Sequence, residues 1–189
     1  MLAYGAGDAA AFDALYERHK GGVHRYLLRQ CGNAGTADEL FQDIWMNLIR
    51  ARSTYMPSAK FTTWLYRLAQ HRLIDHWRTH GRVQLVADRP GADTDRDDDE
   101  DPLNAIPAAR TDEPETRVTA REIRRHIDAA LAALPAAQRD AFLLHQEAGL
   151  ALAEIAELTG VGAETVKSRV RYALAALRAR LGHLRVEAS

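Results

Sequence analysis

The most specific chemical feature of the sequence is a predicted helical pair near its carboxyl end. Between residues 152 and 170, the small residue Ala156 is followed four positions later by Gly160. Two helices that cross steeply need a small side chain where they meet, and the tight turn between them needs a residue that tolerates positive φ. The pattern therefore predicts a helix-turn-helix. Three valines are spaced to pack its second helix onto the first: Val161, Val166 and Val170.

The outward face of that second helix has the chemistry to read duplex DNA. Its side chains can hydrogen-bond to base edges or neutralise phosphates in a major groove. They are Glu164, Thr165, Lys167, Ser168, Arg171 and Tyr172. From residue 163 to residue 185, six basic residues accompany one acid, a net charge of +5. This charge favours DNA binding over the alternative, an amphipathic hairpin with a solvated basic face.

A second candidate nucleic-acid surface lies in residues 61–78, where aromatic and arginine residues are interleaved. Eleven of the thirteen aromatic residues precede residue 83. Aromatic rings can stack on unpaired bases while guanidinium groups follow the phosphates of a single strand. Helical periodicity alone favours the alternative, in which the apolar members fill a small core. Those members are Trp64, Leu65, Leu68 and Trp77.

The histidines of this segment do not make a convincing metal or catalytic site. His76 and His80 are four residues apart, but no third ligand follows at a convincing spacing, so exposed histidines are the better interpretation. A metal-dependent hydrolase could also use His71 and Asp75, yet the sequence has no glycine-rich phosphate loop and no nucleophile elbow. We therefore predict no catalytic residue, no metal site and no cofactor.

An acidic segment separates these two candidate surfaces. From residue 88 to residue 115 there are eleven acidic residues and three arginines, a net charge of −8, together with proline and glycine. Such a segment buries too little apolar surface to offset its ordering entropy, so residues 83–113 are predicted to be a flexible linker. The acids lack the glycine and closing glutamate of an EF-hand, which argues against calcium.

The remaining sequence is predicted to be helical, because its apolar residues recur at spacings of three and four. Asp8 can cap a first helix, and Thr36 with Glu39 forms a predicted capping box for a second. Pro114 suits the first turn of another helix, and Pro135 ends it. The predicted fold class is all-α, with two small helical bundles. The domains are residues 8–82 and residues 114–182, of which the second holds the helix-turn-helix.

Composition bounds the possible functions. Hydrophobic residues make up 47% and charged residues 27% of the 189 residues, and the net charge is −1. These values exclude a uniformly basic nucleic-acid coat and are typical of a chain with a real core. Cys31 is the only cysteine, so intrachain disulfides are excluded. Neither a signal peptide nor a membrane-spanning stretch is predicted, and we expect a cytoplasmic protein.

Three motifs, taken in order, resemble one family. Residues 38–48 resemble a helix that binds core RNA polymerase, and residues 61–75 resemble a helix that melts promoter DNA. Leu134, Pro135 and Arg139, followed by the helix-turn-helix through residues 165–169, resemble the same family's carboxyl-terminal DNA reader. The family is the RNA polymerase sigma-70 family, in its extracytoplasmic-function (ECF) branch. That branch keeps two conserved domains, sigma domain 2 and sigma domain 4, joined by a flexible linker.

The resemblance implies three sets of contact residues. Core polymerase would be bound, through the clamp helices of its largest subunit, by Asp38, Glu39, Gln42, Asp43 and Asn47. The −10 promoter element would be captured by Tyr55, Lys60, Trp64, Arg67, His71, Arg72 and Arg78. The −35 element would be read by Thr165, Lys167, Ser168, Arg169, Arg171 and Tyr172.

The resemblance also implies the partners of the chain. They are core RNA polymerase, including its flap, promoter DNA and an anti-sigma factor that holds the protein inactive. The alternative is an ordinary helix-turn-helix regulator that binds DNA without polymerase. That alternative leaves the acidic face of residues 38–50 and the Trp/Arg helix without a role, and it predicts no co-elution with core polymerase.

Overall fold

The computed structural model describes residues 1–80 and 114–182, and within these ranges the chain is helical with no strand. The α-helices are α1 (Leu2–Gly5), α2 (Ala9–Cys31), α3 (Ala34–Arg50), α4 (Phe61–Thr79), α5 (Pro114–Ala132), α6 (Ala136–Ala148), α7 (Leu152–Thr159) and α8 (Ala163–Leu181). A single 3-10 turn, Ala51–Ser53, follows α3. The prediction of an all-α fold is confirmed. The predicted linker, residues 83–113, lies outside the described residues.

Helices α2, α3 and α4 pack together as the first half of the structure. Asp8 caps α2 as predicted, since its carboxylate accepts a hydrogen bond from the Ala11 backbone N–H at 3.3 Å. The apolar face of α3 is buried against α2 and α4. Its buried members are Ala37, Leu40, Ile44, Trp45 and Leu48.

The capping box predicted at Thr36 and Glu39 is wrong. Helix α2 ends at Gly32, whose φ of +67° makes a left-handed corner, and α3 begins only two residues later. Asn33 caps α3, with its side-chain oxygen accepting from the Thr36 backbone N–H at 3.0 Å. Thr36 therefore lies inside the first turn, because a stronger capping residue stands directly after the glycine corner.

Helices α5 to α8 form the second half. Pro135 separates α5 from α6, as predicted, and Gly149 ends α6 with a φ of +64°. The principal packing is between α6 and α8, and α7 packs against both. The buried apolar residues of this half include Leu143, Leu144, Ile155, Val166 and Val170.

The two halves pack directly against each other, an arrangement that the sequence did not predict. Helix α6 lies against α2 and α4, and α7 approaches the beginning of α4. The buried residues of both halves form one continuous cluster. Several cross-contacts are polar, and Asp140 on α6 is the centre of the most buried set.

Candidate nucleic-acid and partner-protein interfaces

The helix-turn-helix has the geometry that its sequence predicts. Gly160 adopts a left-handed φ of +71°, and its N–H donates to the Ala156 carbonyl oxygen at 2.9 Å. The N–H of Val161 also donates to the Ala156 carbonyl, at 3.2 Å, so the turn closes tightly over the end of α7. A side chain at position 160 would strain this turn, because L-residues rarely adopt that φ.

The second helix of the motif, α8, has a clear inner and outer face. Val166 and Val170 are buried, and Val161 is half-buried beside them, as the spacing predicts. The outer face is exposed along its length. It consists of Glu164, Thr165, Lys167, Arg171 and Tyr172, with Ser168 half-buried among them.

Two arginines of the predicted −35 set, Arg171 and Arg169, contact neighbouring residues that restrict what each can bind. The guanidinium of Arg171 lies over the ring of Tyr172, 5.2 Å from its centroid, a cation–π contact that holds both side chains together. Arg169 is half-buried on the flank of α8, and its positive charge favours the ionised form of Asp140 on α6. Arg169 therefore does not share the exposed face.

The predicted −10 residues of α4 lie mostly along one face. Trp64, Arg67, His71 and Arg78 recur at helical spacings of three, four and seven, which places them in one stripe. Trp64 and Arg67 are half-buried, whereas His71 and Arg78 are exposed. Arg72 lies apart from this stripe and faces α3 instead.

Aromatic rings cluster where this stripe begins. Tyr55 from the loop before α4 packs edge-on against Trp64, with ring centroids 4.9 Å apart, and Phe61 lies beside both. Lys60 is exposed at the amino end of α4. The structure thus brings together a half-open ring cluster and a lysine, which suits stacking on an unpaired base beside a phosphate.

The alternative interpretation of α4 is correct for part of the helix. Leu65 and Trp77 are buried in the core, while Trp64 and Leu68 are only half-buried. The helix therefore buries one face in the core and leaves another face partly exposed. Periodicity did not separate Trp64 from Trp77, since both fit an apolar pattern.

The predicted polymerase-binding residues form the exposed face of α3. Asp38, Glu39, Gln42 and Asp43 are exposed, and Asn47 is half-buried at the end of the row. Asp38 contacts the Nε2 atom of His24 at 2.7 Å. The resulting acidic face suits a partner rich in arginine, because carboxylates accept paired hydrogen bonds from guanidinium groups.

The structure adds Met46 to this face, a residue that sequence analysis missed. Met46 is 47% exposed and lies on the same side of α3 as Gln42 and Asp43, at spacings of four and three. A flexible thioether in a polar rim is typical of protein-binding surfaces. The sequence could have indicated this exposure, because Met46 does not fall on the apolar positions of α3 that face the core.

The described residues contain no cluster of three or more His, Cys, Asp or Glu side chains that could hold a metal ion. His76 and His80 stack on each other, with ring centroids 4.2 Å apart. Among residues 1–80 and 114–182, none of the helices is both long enough and apolar enough to cross a membrane.

Comparison with known proteins defines the class of protein. Residues 15–83 match sigma-70 region 2, and residues 124–177 match sigma-70 region 4. The RNA polymerase sigma factor CarQ of Myxococcus xanthus is 30% identical over 96% of this chain and 95% of its own. The ECF RNA polymerase sigma factor SigM of Mycobacterium tuberculosis is 30% identical over 97% of this chain and 84% of its own.

Solved structures share the fold. CnrH, in complex with the cytosolic domain of CnrY, has a TM-score of 0.63 and 20% identity, covering 95% of this chain and 92% of its own. RpoE of Bartonella quintana, in complex with the anti-sigma factor NepR, has a TM-score of 0.65 and 19% identity, covering 91% and 97%. The chain belongs to the sigma-70 family of RNA polymerase sigma factors, in the ECF branch. It is a transcription initiation factor and not an enzyme.

Proposed function

We propose that this sigma factor divides its work between two domains, residues 8–82 and residues 114–182. The first binds core polymerase through α3 and captures the −10 element through α4, and the second reads the −35 element through α8. The observation that carries this proposal is the separation of three exposed faces with different chemistry on one chain. One is acidic with an apolar centre at Met46, one is aromatic and basic, and one is basic with polar side chains.

The acidic face of α3 is the docking surface for polymerase. Glu39 and Gln42 lie at its centre beside the exposed Met46. An apolar group surrounded by polar side chains matches the arrangement of protein interfaces, in which a small desolvated centre contributes most of the binding energy. The complementary partner surface is a basic helix with an apolar contact.

The start of α4 is the site for an extruded −10 base. Extruding a base costs a few kcal/mol of stacking. The ring pair of Tyr55 and Trp64 can replace that stacking, while Lys60 and Arg67 neutralise adjacent phosphates. His71 and Arg78 extend the contact along the same strand.

The recognition helix α8 reads the −35 element as a duplex. Thr165 and Ser168 can bond to base edges near the amino end of the helix, and Lys167 and Arg171 can bond to guanine or phosphate. Helix-turn-helix proteins place this end of the second helix deepest in the major groove. Tyr172 shapes the approach of Arg171 to the DNA, because the guanidinium of Arg171 rests on the Tyr172 ring.

An anti-sigma factor is the expected regulator, since RpoE of Bartonella quintana was solved with one. The place of action is the cytoplasm, where core polymerase and the chromosome are found. The experiment that tests the function is run-off transcription with core polymerase on a promoter library. Promoter-specific transcripts that share −10 and −35 sequences are expected. A failure to co-elute with core polymerase would favour a helix-turn-helix regulator that acts alone.

A further inference from the structure

The amino-terminal segment, residues 1–8, packs against the turn that leads into the proposed −10 site. The match to sigma-70 region 2 begins at residue 15, so that match assigns no role to this segment. Helix α1 contacts both α2 and the 3-10 turn Ala51–Ser53. Tyr55, whose ring belongs to the proposed −10 site, lies two residues after that turn. The segment is therefore placed to influence the site without being part of it.

A hydrogen-bonded corner joins α1 to α2. Gly7 has a φ of +103°, which glycine adopts far more readily than other residues, and its N–H donates to the Tyr4 carbonyl oxygen at 3.1 Å. The backbone N–H of Asp8 donates to the Ala3 carbonyl oxygen at 3.0 Å, while the Asp8 carboxylate caps α2. These bonds fix the direction of α1 relative to α2.

Tyr4 anchors α1 to the first half of the structure. It is half-buried, and the centroid of its ring lies 5.2 Å from that of Phe12 on α2. Phe12 in turn packs edge-on against Trp45 of α3, with centroids 6.0 Å apart. The guanidinium of Arg52 lies over the Tyr4 ring, 5.9 Å from its centroid. This cation–π contact attracts the 3-10 turn toward α1.

Gly5 permits the closest approach between α1 and the turn. A Cβ atom at this position would lie 2.7 Å from the Arg52 backbone oxygen, a separation that real Cβ atoms essentially never show. Because the obstructing atom belongs to the backbone, either α1 or the turn would have to move. At Gly21, which is exposed on α2, a Cβ atom would meet only the flexible end of Arg25, at 3.2 Å.

The turn transmits this contact to Tyr55. The Thr54 backbone N–H and hydroxyl both donate to the Ala51 carbonyl oxygen, at 3.1 Å and 3.3 Å. These bonds fold the chain back directly before Tyr55, whose ring centroid lies 4.9 Å from that of Trp64. The chain that leads to Tyr55 is thus held by α1 at Arg52 and by the turn at Thr54.

We infer that residues 1–8 are a positioning element for the −10 site, which holds Tyr55 against Trp64 before a DNA strand arrives. The inference rests on the proposed function, because it takes this ring pair as the place where the extruded base stacks. Rings that are already in place need not be ordered when the base enters, and the saving in conformational entropy strengthens binding. A fixed site also discriminates among bases by its shape. Tyr4 and Gly5 are positioning residues, since they act through Arg52.

A purely stabilising role for α1 predicts a different result. Loss of stability lowers the folded fraction of the sigma factor, which lowers the rate of transcription from every promoter by the same factor. A displaced Tyr55 lowers the rate most on a promoter that carries the preferred −10 base. The ratio of the rates on two promoters separates these roles, because the folded fraction cancels from the ratio.

The test compares two changes in α1 with two matched controls, each in full-length protein bound to core polymerase. Gly5→Ala adds the obstructing Cβ atom, whereas Gly21→Ala adds one where there is room. Alanine favours helix over glycine at both positions, so a loss at Gly5 comes from the contact with Arg52. Tyr4→Ala removes the ring under the Arg52 guanidinium, and Tyr4→Phe keeps it.

Two readouts are used. The first is the ratio of run-off rates on a promoter that the wild type transcribes and on the same promoter with its most strongly preferred −10 base changed. Gly5→Ala and Tyr4→Ala are expected to lower this ratio about tenfold, the order of the effect of one recognised base. The second is hydrogen exchange of the Thr54 amide in the free protein, which should be faster in these two variants. Gly21→Ala and Tyr4→Phe are expected to match the wild type in both.

The other outcomes separate this inference from the proposed function. An unchanged ratio in both Gly5→Ala and Tyr4→Ala would overturn the inference, whatever their overall rates. Equal exchange of the Thr54 amide in every variant would show that α1 does not hold the turn. An equal loss of preference in Tyr4→Phe would also overturn it, since the ring is still present there. If wild-type holoenzyme shows no −10 base preference, the proposed function fails, and the exchange comparison still decides whether α1 holds the turn.

Discussion

Arg72 on α4 donates a hydrogen bond to the carboxylate of Asp43 on α3, so a residue of the predicted −10 set is paired with a residue of the predicted polymerase-binding set. The pair joins the two helices at the edge of the docking face. Asp43 therefore holds Arg72 in position in addition to any contact with polymerase. A substitution at Asp43 acts on both surfaces.

The double substitution Asp43→Arg with Arg72→Asp separates these two roles. Asp43→Arg alone is expected to abolish polymerase binding and to lower the free energy of unfolding, because it sets two guanidiniums together. The reversed pair should regain about 0.2–1 kcal/mol of stability, as partly exposed ion pairs do, without regaining polymerase binding. Urea denaturation and co-elution with core polymerase measure the two quantities.

Gln42→Arg, outside the pair, is the control that should lose polymerase binding at an unchanged free energy of unfolding. Normal polymerase binding by the reversed pair would limit Asp43 to positioning Arg72.

The salt dependence of promoter binding reports the phosphate contacts of α8. Lys167→Ala and Arg171→Ala are each expected to weaken binding of a −35 duplex and to reduce the slope of log affinity against log salt by about 1. Fluorescence anisotropy over a salt series measures that slope. Arg180→Ala is the matched control, since Arg180 is exposed on the opposite side of α8 from Arg171. An equal change in slope for all three variants would mean that the basic charge acts without a defined face.

The turn of the helix-turn-helix depends on the backbone conformation of one glycine. Gly160→Ala is expected to destabilise the protein by about 1–2 kcal/mol, because an L-residue is strained at the φ of +71° found there. Gly182→Ala is the control, since Gly182 has a φ of −58° and open space around its Cα atom. Thermal unfolding followed by circular dichroism compares the two. Equal stability of both variants would contradict the assigned turn.

The buried carboxylate of Asp140 makes the free energy of unfolding depend on pH. Burial raises the pKa of Asp140 above its ordinary 3.8, and the bonds from Tyr26 and Gln70 and the charges of Arg139 and Arg169 offset only part of this effect. The packed state therefore binds this proton more tightly than the unfolded chain does. The stability that the proton gives is fully present below the ordinary pKa and is lost as pH rises through the raised value.

Asp140→Asn removes this dependence while keeping the size of the side chain. The unfolding free energy of the wild type minus that of Asp140→Asn is expected to fall as pH rises from about 4 and then to become constant. Urea titrations at several pH values measure the difference. A difference that stays the same at every pH would show that Asp140 does not titrate in the packed state.

Much of the fold follows from local chemistry that a single sequence displays. Pro135 removes a backbone donor, Asp8 offers a capping oxygen, and Gly160 tolerates a left-handed turn, and each of these predictions is confirmed. Each depends on residues within about four positions along the chain, so each can be predicted without knowledge of distant contacts. The error at Thr36 was also local, because Asn33 beside the glycine corner is the more favourable cap.

The sequence by itself determined the helices, the helix-turn-helix and the faces that carry charge, because each is set by residue type and spacing within one segment. Only the tertiary structure decided that Asp140 is buried against Tyr26, Gln30 and Gln70, since these partners are 70 to 114 positions away along the chain. From residue type alone, a carboxylate and two amides are expected at the surface, and only packing removes their water. The same holds for the pair of Arg72 and Asp43, which joined two sites that the sequence kept apart.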